Sequence, residues 1–87
     1  MSLRFVGIDP DTGKNNSPTV WVDQEKRELV LQGWKPDDDT LAECERFELP
    51  GHARGIPEDE AVVRIPARMA QMIREACDVL DGHPDVR

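Results

Sequence analysis

Pro66-Ala67-Arg68-Met69-Ala70-Gln71-Met72-Ile73-Arg74-Glu75-Ala76-Cys77-Asp78-Val79-Leu80 holds the clearest periodicity in the chain. Met69, Met72, Ile73, Ala76, Val79 and Leu80 recur at three- and four-residue steps, which places them on one face of a helix. Arg68, Gln71, Arg74, Glu75 and Asp78 take the other face. Pro66 suits the first helical position, where its missing N–H costs nothing. Asp81-Gly82 stops the helix, and the residues up to Arg87 are expected to fray. A helix with one apolar stripe needs a surface to cover, and the rest of the chain supplies strands.

Ala61-Val62-Val63-Arg64-Ile65, just before the helix, reads as a strand. Leu49 to Pro57 holds Gly51, Gly55 and Pro50 and reads as a loop. Asp37-Asp38-Asp39-Thr40 opens a shorter helix, since Asp and Thr cap exposed N–H groups and acids suit the positive end of the dipole. Leu41 and Cys44 follow at helical spacing, and the helix should finish before Pro50. Nearer the start, Leu3 to Ile8, Thr19 to Val22 and Glu28 to Trp34 are three β-rich runs joined by turn formers. Their short links predict an antiparallel meander. The expected fold is α+β in the order β-β-β-α-β-α. It has a small antiparallel sheet of three to four strands and one or two helices, with the C-terminal amphipathic helix packed on the sheet. Residues 1–80 are read as one domain and residues 81–87 as a tail.

The chain has 87 residues, with 18 acids against 11 bases and a formal net charge of −7. A domain this short buries roughly 60–65% of the surface its unfolded chain exposes, so an enclosed pocket is not expected. Nucleic-acid affinity comes largely from Lys and Arg on phosphates, and the scattered bases here argue against direct DNA or RNA binding. The same sign disfavours anionic membranes and suits a basic protein partner. Met1 to Ile8 lacks the charged and apolar regions of a signal peptide, and no run approaches a membrane span. We therefore expect a cytoplasmic protein with Cys44 and Cys77 as thiols.

The most suggestive run for chemistry is Phe5-Val6-Gly7-Ile8-Asp9-Pro10-Asp11-Thr12-Gly13. It resembles the first strand of ribonuclease-H-like nucleases and actin-like ATPases, where a strand ends in Gly-Ile-Asp-Pro-Gly and the Asp binds a metal. Asp11 stands in place of the second glycine. That likeness implies a metal-dependent nuclease or phosphohydrolase remnant centred on Asp9 and Asp11. Such a nuclease needs several carboxylates converging on its ions, and a strand ending in an Asp-Pro turn explains the same residues. Counted from Asp9 as a calcium loop, the sixth position is Lys14 and the twelfth is Val20, so the EF-hand pattern fails. Cys44 with His52, and Cys77 with His83, have zinc-ligand chemistry but not zinc-site spacing. Both cysteines read as small core hydrophobes, and the Met69/Met72 pair as core. No catalytic constellation and no cofactor are expected.

Trp34, at the end of the third run, should share a strand face with Val30 and Gln32, leaving Leu29 and Leu31 on the other. Tryptophan is the side chain most enriched in binding hot spots. Trp34, Gln32, Val30 and Trp21 are therefore the candidate partner-binding residues, with Trp34 as a lid on the core as the competing reading.

The run Asn15-Asn16-Ser17-Pro18-Thr19-Val20-Trp21-Val22, the junction Val62-Val63-Arg64-Ile65-Pro66-Ala67 and the terminal amphipathic helix together resemble small actinobacterial proteins of the BldB type. Ser17 stands near the place of that family's loop cysteine. The resemblance implies an acidic, non-catalytic adaptor, homodimeric in form, that partners a helix-turn-helix regulator.

Overall fold

The computed structural model describes residues 3–11 and 17–82, which fall into two compact units. The first joins residues up to Gly33 with those from Ile65 onward, and the second is Trp34–Arg64. The expected fraying past Asp81-Gly82 falls on residues 83–87, outside the described residues.

The first unit is an antiparallel meander, β1 (Leu3–Ile8), β2 (Thr19–Asp23) and β3 (Glu28–Gln32), in the order β1-β2-β3. The β2–β3 ladder runs from Thr19↔Gln32 to Asp23↔Glu28 without a break. Residues 24–27 close it as a four-residue turn. Asp23 Oδ1 accepts the Lys26 N–H at 2.9 Å there, and Arg27 takes a left-handed φ of 61°. In the β1–β2 ladder Phe5 pairs with Trp21 and Gly7 with Val20, so Val6 is an extra, bulged residue.

Strand alternation sends Val20 and Val22 to one face, and both are fully buried. A short 3₁₀ turn (Ala67–Met69) and α1 (Ala70–Leu80) lie over that face. Met69 and Ala76 complete the fully buried core, and Val6, Ile65, Met72, Ile73, Val79 and Leu80 pack around it. The apolar stripe expected from the sequence is thus the buried stripe. The bulge turns Val6 and Gly7 toward the helix together. Gly7 makes room there: a Cβ at this position would lie 2.5 Å from the Met72 Sδ, so a larger residue makes that side chain shift.

The second unit holds the shorter helix, α2 (Asp38–Arg46), which precedes α1 in the chain. The Asp37 carboxylate caps it by accepting the Thr40 N–H at 2.8 Å, and that bond holds the Asp37 carboxyl below its usual range. No residue of this helix is fully buried.

Two expectations are corrected. Residues 61–65 form no strand; Arg64 makes a single antiparallel bridge with Trp34, its N–H and C=O both bonded at 2.8 and 2.9 Å. The next bonded pairs of such a ladder would need donors from Pro36 and Pro66, and neither has an N–H, so the ladder stops in both directions. The observed order is therefore three strands, a helix, a 3₁₀ turn and a helix. The third strand also ends earlier than expected, at Gln32, and Trp34 belongs to the second unit.

Candidate interaction face

The face of the sheet turned away from α1 carries three cross-strand rows. Phe5, Trp21 and Val30 form the middle row; Leu3, Asp23 and Glu28 lie to one side, and Ile8, Thr19 and Gln32 to the other. Phe5 is 58% exposed, and Leu3 and Ile8 are each 43% exposed. Trp21 and Val30 are half-buried. Thr19 is buried, with its hydroxyl donating to the Ser17 carbonyl at 2.7 Å, and the Gln32 amide donates to the same carbonyl. This end of the face is held by its own polar groups. The acids cluster at the other end, and the described part of the face holds no Lys or Arg.

Of the candidate partner-binding residues, the structure brings Trp21, Val30 and Gln32 onto this one face. Trp34, 37% exposed, stands in the other unit, tied through its backbone to Arg64. Phe5, Ile8 and Leu3 were missed by sequence reasoning. The signal was present for Leu3 and Phe5, because alternation along the strand puts them together opposite Arg4. The Val6 bulge, which returns Ile8 to the face of Phe5, has no such signature.

Asp9 and Asp11 have a different setting. The Asp9 side chain is fully buried, and Arg68 from the 3₁₀ turn grips both of its oxygens at 2.6 Å. Asp9 Oδ1 also accepts the Asp11 N–H at 3.1 Å, an Asx turn, and its own N–H donates to the Pro18 carbonyl. Asp11 is exposed, 3.7 Å from Arg68. The Arg68 hydrogen bonds hold the Asp9 carboxyl below its usual range against burial, which pushes it up; the same contact raises Arg68. Thr12 and Gly13 of this motif, and Lys14 beyond it, lie outside the described residues.

Among the described residues no group of three or more His, Cys, Asp and Glu side chains is placed to hold a metal ion. Cys44 is half-buried, while Cys77 is exposed and so is not the core thiol expected from its sequence position. His52 is exposed on the 49–57 loop, and His83 lies outside the described residues. In the second unit, Glu48 and Arg54 pair at 3.1 Å beside a depression lined by Leu49, Pro50, Gly51 and His52. Phe47, at the end of α2, is 66% exposed. No helix of the described residues is long and apolar enough to cross a membrane.

Comparison with family models, with curated proteins and with solved structures finds no match to this chain. The fold and the face together describe a small α+β protein whose sheet is covered on one side by its own helix and, among the described residues, carries a largely exposed Phe5 on the other.

Proposed function

We propose that this protein is a non-catalytic interaction module that docks a partner protein on the open face of its sheet. The observation that carries the reading is the middle row, where Phe5 stands largely exposed beside Trp21 and Val30. An exposed aromatic flanked by half-buried apolar residues supplies the anchor, and the polar residues around it supply a rim. The family resemblance extends the proposal to a homodimeric regulatory partner of a helix-turn-helix DNA-binding protein, acting in the cytoplasm without touching DNA. The net charge of −7 supports the last clause.

The nuclease-like reading of Asp9 gains no support from its geometry. Both carboxylate oxygens are engaged by Arg68, and a metal would have to displace that pair.

The test compares the tagged wild-type chain with Phe5→Thr in capture from an extract, followed by titration of the purified captured protein. Threonine keeps the strand propensity while removing the ring. One stoichiometric partner, bound at least fivefold more weakly by Phe5→Thr with unchanged melting, is the expected result. A partner that binds both forms equally would remove this face from the proposal.

A further inference from the structure

We infer that the open sheet face accepts a basic amphipathic helix of the partner, laid opposite α1 as the third layer of an α/β/α sandwich. This rests on the reading of that face as the docking surface and names what occupies it.

Dimensions come first. Three strands spaced by roughly 4.8 Å make a platform about 10 Å wide, close to the diameter of one helix. Strands of five and six residues run about 17–20 Å, the length of three helical turns. The sheet already carries a helix of that size on its other side, the 11 residues of α1.

The chemistry of the face sets the rest. Its middle row offers two rings and a branched aliphatic side chain, which fit between apolar residues at three- and four-residue steps on a facing helix. One end is acidic, with Asp23 and Glu28 directly opposite each other on neighbouring strands, and no cation stands on the described face. A bound helix carrying Lys or Arg beside its apolar stripe meets those carboxylates. A helix bordered by acids meets like charge from this face and from the net −7 of the chain. A second copy of the chain brings the same excess of acid.

The experiment uses the full chain and two synthetic helical peptides of about four turns. They share one apolar stripe and differ only in Lys or Glu along its borders. Backbone amide shifts and calorimetry read the binding. The expected result is that the Lys peptide binds, shifts Phe5, Trp21 and Val30, and loses roughly threefold or more in affinity when Asp23→Asn is combined with Glu28→Lys. The Glu peptide should bind at least tenfold more weakly. Equal binding of both peptides would overturn the basic occupant. Binding of neither would overturn the helix. Dimerisation of the chain abolished by Phe5→Thr would assign the face to a second copy and overturn both. The first two failures leave the docking proposal standing, since that proposal is tested by the captured partner and Phe5→Thr; the third overturns it as well.

Discussion

Single side chains set two of the tightest constraints in this molecule. Gly7 lets β1 pass directly beneath Met72. Gly7→Ala forces the thioether aside and should cost about 1–3 kcal/mol, read from urea unfolding. In a Met72→Ala background the same change should be neutral or slightly stabilising, because alanine leaves less freedom in the unfolded chain. A double-mutant cycle with no coupling would disprove the contact. Asp9 makes the second constraint. Its folded pKa is depressed by Arg68, so its stabilisation is present above the unfolded carboxylate value of about 3.9 and is lost as pH falls through the lower folded value. Asp9→Asn should therefore melt below wild type at neutral pH, with the gap closing below about pH 4. A gap independent of pH between 7 and 2 would show that charge is not what Asp9 contributes. The Asp9-Pro10 turn was legible as a turn from its residues. Arg68 as its partner, 59 positions away, was not, because an arginine on the polar face of a helix looks like any solvated charge.

Among elements, α1 shows how pattern becomes packing. Its periodic residues are the ones that reach β2, and Met69 at its entrance is fully buried. Met69→Ala should cost about 2–5 kcal/mol, a drop of roughly 10–30 °C in Tm, since the cavity would open in the middle of a core with few other fully buried side chains. The β2–β3 hairpin carries an opposite lesson. Asp23 and Glu28 are cross-strand neighbours of like charge, an arrangement that weakens a ladder. Glu28→Gln should raise stability by about 0.2–1 kcal/mol in chemical denaturation while weakening the Lys peptide. Stability and binding moving in opposite directions would mark these acids as serving the face.

For the molecule as a whole, charge and the open face act together. An acidic chain binding a basic helix through a rim of carboxylates depends on ionic strength, whereas an apolar core does not. Raising salt from 50 to 300 mM should weaken the Lys-peptide complex several-fold and leave the melting of the free protein nearly unchanged. Salt-independent affinity would mean that the apolar row alone drives binding.

From the sequence by itself came the α+β class, the three-strand meander, a capped helix start within Asp37–Thr40 and the buried stripe of the last helix. Each follows from local chemistry: alternation of period two, turn formers, a carboxylate beside free N–H groups, and apolar residues every three to four positions. Local composition also explains why Ala61–Ile65 reads as a fourth strand, since its failure depends on prolines at 36 and 66 standing where the next bonded pairs on either side of the Trp34–Arg64 bridge would need N–H donors. Tertiary structure alone decided the Val6 bulge, the Arg68 clasp on Asp9, the exposure of Cys77 and the grouping of Phe5 with Trp21 and Val30. All four depend on which residues distant in sequence become neighbours, and the pattern along one strand or helix does not contain its partner.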